Sequence, residues 1–166
     1  RNLTENQRLN KEMDLLRAKL ASSNEVYLEN TRLKSLLSLK QQASYKVIAA
    51  KVIARSSDSW SSMVVIDKGS SQGIKRGMPV ITYLGLAGRV QETTGLTSKI
   101  MLISDPNLGV SGIAQRSRQE GLVSGTLGQY LIMKYLPQGF DIRPLDAIIT
   151  SGLTPVYPKG LLIGEV

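Results

Sequence analysis

Apolar positions in the first 40 residues recur at intervals of three or four, whereas those after residue 46 alternate in twos. Leu9, Met13, Leu16 and Leu20 are spaced four, three and four apart, which sets them on one seam of a helix. Continuing that register brings Ser23, Tyr27, Asn30, Lys34 and Leu37 to the same seam, so its middle is polar. A second apolar cluster, Leu33, Leu36, Leu37 and Leu39, follows. No Gly or Pro interrupts the run, and ~40 helical residues at ~1.5 Å rise reach about 60 Å. A lone helix cannot bury such a seam, and each Leu or Met set against a partner gains about 1.5–3 kcal/mol at most. Residues 1–44 are therefore expected to form a coiled-coil arm that self-associates as a parallel dimer through Leu9, Met13, Leu16, Leu20, Tyr27 and Leu37. Asn30 in the seam would fix the register. The competing arrangement is a helix packed on its own β domain.

From Lys46 the period becomes two. Ile48, Ala50, Val52 and Ala54 share one face, with Lys51 and Arg55 on the other. Further strand candidates are 62–67, 79–83, 86–92, 99–104, 109–115, 121–125, 130–136, 147–150 and 161–166. All 15 glycines and 6 prolines lie at or beyond Gly69, between these strands or inside them. Short strands at such spacing, with no helical period between them, predict antiparallel barrels. The expected fold is mainly β with a long N-terminal α-helix: a coiled-coil arm followed by two small antiparallel β-barrel domains. The first barrel spans 45–104, completed by strands from 146–166, and the second spans 105–145. Gly69 and Gly77 are eight residues apart, as are Gly152 and Gly160, which suggests an internal duplication. Trp60, in the loop after Arg55, is expected to plug a barrel end.

Composition narrows the chemistry. The net charge is +8, shared between the arm (8 basic and 5 acidic residues in 1–44, net +3) and the remainder (13 and 8, net +5). Such a field favours anionic partners without selecting one. There is no Cys and no His, which removes thiolate metal sites, disulfides and histidine-activated nucleophiles. A Ser–Lys dyad of Ser151 and Lys159 stays formally open. The Gly69–Gly77 loop lacks the ending of a phosphate-binding P-loop. Asp67, Asp105, Asp141 and Asp146 are scattered and read as turn and cap residues. Aromatics do not interleave with basic residues as in single-strand nucleic-acid binders. No catalytic, cofactor or metal residue is assigned, and the chain reads as a scaffold rather than an enzyme. The large residues Tyr130, Met133, Tyr135, Phe140 and Tyr157 are candidates for docking a partner. The pattern is already under way at Arg1, so a fragment of a longer protein is expected.

One ordered series of segments carries a resemblance. It runs from Val52-Ile53-Ala54-Arg55 and Trp60 to Ile66-Asp67-Lys68-Gly69, then Gly73-Ile74-Lys75-Arg76-Gly77-Met78-Pro79-Val80 and Gly85-Leu86-Ala87-Gly88-Arg89-Val90. It closes with Asp146, Thr150-Ser151-Gly152 and the stretch Tyr157 to Val166. Residues 46–166 thereby resemble the rod shape-determining protein MreC family. The resemblance implies a single-pass membrane protein whose coiled coil and two β-barrels lie outside the cytoplasm, although the family's transmembrane helix is missing from these residues. It implies a scaffold of the cell-elongation machinery that forms dimers or filaments. Its implied partners are class B penicillin-binding transpeptidases, MreD and the MreB system. A periplasmic adaptor of an efflux or secretion system is the alternative, although adaptors send a helix out and bring it back.

Overall fold

The structure is a computed structural model and describes residues 2–42, 45–56 and 58–166. The chain divides into two compact units, Arg1–Val47 and Ile48–Val166.

In the first unit, α1 (Asn2–Gln42) is one 41-residue helix. Its expected end at 43–44 lies outside the described residues. Between residues 4 and 41 only Ser35 and Leu39 are half-buried, and every other residue is exposed. Thr31 and Ser35 donate their hydroxyls to the carbonyls of Tyr27 and Thr31, so these poor helix formers satisfy themselves within the turn. Intrahelical pairs such as Arg32–Glu29 at 2.6 Å add a few tenths of a kcal/mol each. The helix therefore has little of its own to stabilise it beyond length.

Among its described residues the second unit holds ten short strands in two antiparallel sheets. β1 (Val52–Arg55), β2 (Met63–Ile66), β3 (Pro79–Thr82), β4 (Gly85–Thr93) and β5 (Ser98–Leu102) are arranged β1-β2-β5-β4-β3. β6 (Gly109–Ala114), β7 (Glu120–Gly125), β8 (Leu131–Lys134), β9 (Ala147–Thr150) and β10 (Leu162–Glu165) are arranged β10-β9-β6-β7-β8. Val64, Ile66, Ile74, Val90 and Ile100 form a core belonging to the first sheet. Leu86 and Met101 of that sheet instead join Leu108, Val110, Val123, Ile148 and Ile163 in a larger core shared with the second. Ile100 and Met101 are neighbours on β5 that point to opposite faces, so the strand is covered on both sides. The turn between the sheets is fastened by Asp105, which is fully buried. Its carboxylate accepts the Ser62 N–H at 2.8 Å and the backbone N–H and side-chain amide of Asn107 at 2.9 and 3.1 Å.

Four expectations meet these observations. The helix-then-β order and the antiparallel strands are as the sequence implied. Residues 147–150 and 162–165, assigned above to the first barrel, hydrogen-bond within the second sheet beside β6, while β10 also lies close to β4. The glycine echo is not a structural repeat: 69–77 connects β2 to β3, which are not neighbours, whereas 152–160 connects the paired β9 and β10. β1 is exposed along its whole length and Trp60 is 72% exposed, so neither the Val52 face nor Trp60 fills a barrel.

Candidate docking surface

The second sheet leaves two edges, β8 and β10, and a groove of about 610 Å³ opens against their inner faces. Alternation along β8 explains the lining. Leu131 and Met133 turn inward onto the shared core, whereas Ile132 and Lys134 face solvent. Ile103, Val123, Leu136, Ile142, Ile148 and Ile163 extend the apolar wall. On β10 a Cβ added at Gly164 would meet nothing within 4 Å, so the groove is open over that strand.

Large apolar side chains surround this sheet edge. Tyr130 stands 78% exposed immediately before β8 and lines the groove, its carbonyl accepting the Thr126 hydroxyl at 2.7 Å. Tyr135, 80% exposed, immediately follows β8 and holds φ of 61°. That left-handed turn breaks the strand alternation and swings the ring outward at a conformational cost. Phe140 is also exposed on the following loop. Two residues that sequence reasoning passed over join them, Leu127 (φ 63°) and Leu145 (φ 71°), both exposed and both left-handed. No short-range signal marks a leucine for positive φ; only the flanking Gly125 and Gly128 hint at a tight turn around Leu127. Met133 is half-buried. Tyr157 is buried in the shared core and offers no surface; burial pushes its phenol up, opposed by the nearby Arg89 guanidinium.

An ion cluster holds the loop that carries Tyr135, Phe140 and Leu145. Arg116, between β6 and β7, grips Asp146 with Nε and Nη2, each at 2.8 Å, and reaches Asp141 with Nη1 at 2.9 Å. The backbone N–H of Arg143 adds a bond to Asp146 at 2.9 Å, and its Nε donates to Asp141 at 3.2 Å. Reciprocal backbone bonds link Leu145 and Asp146 to Val166. The Arg116 guanidinium, seconded by the Arg143 N–H, holds the Asp146 carboxyl down to about 2 from an ordinary 3.8. A depressed carboxyl contributes stability above its unfolded pKa and loses it as pH falls through the folded one. The chain is therefore expected to lose melting temperature between about pH 4 and pH 2, and Asp146→Asn should flatten that limb. An identical slope in the variant, followed by calorimetry, would show that the cluster does not carry it.

Ser151 donates its hydroxyl to Ser111 Oγ at 3.0 Å. Among the described residues no cluster of three His, Cys, Asp or Glu side chains is placed to hold a metal ion. No described helix is long and apolar enough to cross a membrane. The six proposed seam residues of α1 all lie uncovered, from 46% exposed at Met13 to 72% at Leu20.

Comparison with known proteins gives a consistent answer. A family described as rod shape-determining protein MreC, barrel core, matches residues 52–166. The cell shape-determining protein MreC of Escherichia coli K12 is 32% identical over 163 residues, 98% of this chain and 44% of that protein. The chain spans about half the length of the curated relatives it matches. A solved MreC chain superposes with a TM-score of 0.79 at 27% identity, covering 85% of this chain and 81% of that one. The fold also matches, at 16% identity and a TM-score of 0.58, the MreC of Helicobacter pylori solved in complex with the penicillin-binding protein PBP2, covering 70% of this chain and 74% of that one.

Proposed function

The chain belongs to the rod shape-determining protein MreC family, and from that membership we propose that it is a non-enzymatic scaffold of the bacterial cell-elongation machinery. It self-associates through α1 and docks peptidoglycan-synthesis proteins, a class B penicillin-binding transpeptidase first among them, at the groove and aromatic loops of the second sheet. In this reading the described residues lie outside the cytoplasm, tethered by a membrane helix, with MreD and the MreB system as further partners. The observation that carries the proposal is the uncovered apolar surface on both units: the seam of α1 and the Tyr130, Tyr135 and Phe140 rings are left in solvent. Exposed apolar side chains gathered on one element or sheet edge mark candidate interaction sites. Two heads on one paired arm would present two copies of a docking surface at high effective concentration. The partner class is supported by the Helicobacter pylori complex, which joins a protein of this fold to PBP2.

The test is direct binding of a purified class B transpeptidase ectodomain to the immobilised chain. Tyr135→Ser with Phe140→Ser should weaken binding at least ~30-fold, about 2 kcal/mol for two desolvated aromatic anchors, while leaving the melting temperature unchanged. Native-like binding by that variant would move the docking surface elsewhere.

A further inference from the structure

Along α1 a second seam competes with the first. Val26, Asn30, Leu33 and Leu37 repeat the four, three, four spacing of Leu9, Met13, Leu16 and Leu20. Joined through Ser23, the two runs follow one path whose only irregularity is two successive steps of three, from Leu20 to Ser23 to Val26. Such a three-residue slip overwinds a coiled coil locally and changes which side chains face the partner. We propose that a second copy of this chain pairs in parallel along the shifted path, with Val26 and Leu33 facing the partner in place of Tyr27 and Lys34. The proposal rests on the self-association argued above and specifies its register.

Three observations carry it. The first is burial. The unshifted path buries Tyr27 and Lys34 in the seam, whereas the shifted path sets Val26 and Leu33 there, exposed by 66% and 55% in the single chain; Leu37 lies on both paths. The second is charge. In a parallel pair, side chains flanking the seam meet those five residues further along the other helix. Beside the first seam those flanks are Glu12 and Arg17, of opposite sign. Beside the shifted seam they are Glu29 and Lys34, again of opposite sign and in the same polarity. The unshifted path places Val26 against Thr31 and Leu33 against Ser38, with no ion pair. Arg32 already engages Oε2 of Glu29 within its own helix, so Lys34 of the second copy would approach Oε1.

The third is shape. A shallow concavity on α1 is bounded by Val26, Glu29, Asn30 and Leu33, with Glu25 at its side. Residues i, i+3, i+4 and i+7 are the four corners of a hole that accepts a side chain from a facing helix. In the shifted register the side chain entering it is Asn30 of the second copy, at the core position where a buried Asn fixes two-stranded, in-register pairing. Lys34 then leaves the seam and becomes half of an ion pair.

Because the chain has no cysteine, single cysteines introduced one at a time report which positions meet their counterparts. Disulfide formation under mild oxidation would be timed for Leu16→Cys, Val26→Cys, Tyr27→Cys, Leu33→Cys and Lys34→Cys, with helicity checked for each. Leu16→Cys, Val26→Cys and Leu33→Cys should crosslink roughly ten-fold faster than Tyr27→Cys and Lys34→Cys, whose Cα atoms would stand beyond the ~7 Å that a disulfide spans. If Leu16→Cys crosslinks while Tyr27→Cys and Lys34→Cys match or outpace Val26→Cys and Leu33→Cys, the register is wrong and the self-association survives. If Leu16→Cys fails as well and the native chain sediments as a monomer, the self-association falls and takes the register with it. A dimer in which Leu16→Cys fails to crosslink would overturn the parallel arrangement.

Discussion

Replacing Gly85 with alanine is expected to destabilise the β unit as a whole rather than loosen it locally. Gly85 opens β4 with φ of 137°, a conformation that residues with a side chain rarely adopt. A Cβ there would overlap the carbonyl oxygen of Leu162, the first residue of β10, and press its Cβ at 3.0 Å. Neither obstacle is the far end of a flexible side chain, so relief requires moving one sheet against the other. Leu86 and Ile163, the next residues on the two strands, sit in the shared core and would separate with them. Strain and lost packing together place the cost at about 3–5 kcal/mol, a fall in melting temperature of roughly 10–20 °C. Gly164→Ala is the control, since its added Cβ meets nothing within 4 Å. Calorimetric curves that coincide for the two variants would remove Gly85 from its role as the joint between the sheets.

Leu16→Lys together with Leu20→Lys is expected to abolish self-association while leaving the β unit folded. Both leucines are exposed in the single chain and belong to the proximal seam, upstream of the proposed slip. Burying each against a partner contributes about 1.5–3 kcal/mol, and the double change replaces that gain with four like charges across the pair. The dissociation constant should rise by at least ~10³, which amounts to loss of the dimer at micromolar concentration. The calorimetric transition of residues 48–166 should stay where it is, because the helix and the strands form separate compact units. Unchanged association would show that the proximal seam is not an interface.

Much of the fold was legible because it rests on local signals. A long run without Gly or Pro gave α1, and alternation bounded by turn residues gave β2 through β10 to within one or two residues at most ends. The strands at 147–150 and 162–165 were located correctly, but their sheet could not be read from alternation. Pairing is a long-range choice, fixed here by Ile113 against Ile149 and by the β10 contact with β4. Tyr157 shows the same limit: its size made it a docking candidate, yet it is buried, and Thr150 fastens the segment after it by donating to the Pro158 carbonyl and accepting the Leu161 N–H. The exposed ring of Tyr135 depends on a positive φ, for which a tyrosine gives no warning in sequence. The seam of α1 was legible as a spacing. The path proposed for it rests on the charges at 29 and 34, which only acquire meaning once a second helix is considered.

Sedimentation equilibrium of the native chain across micromolar concentrations bears most directly on the scaffold reading, because paired arms are its physical premise. The account predicts a reversible species of twice the 18.1 kDa chain mass, about 36 kDa, lost on Leu16→Lys with Leu20→Lys. A mass that stays at 18.1 kDa up to high micromolar concentration, with α1 helical, would contradict it.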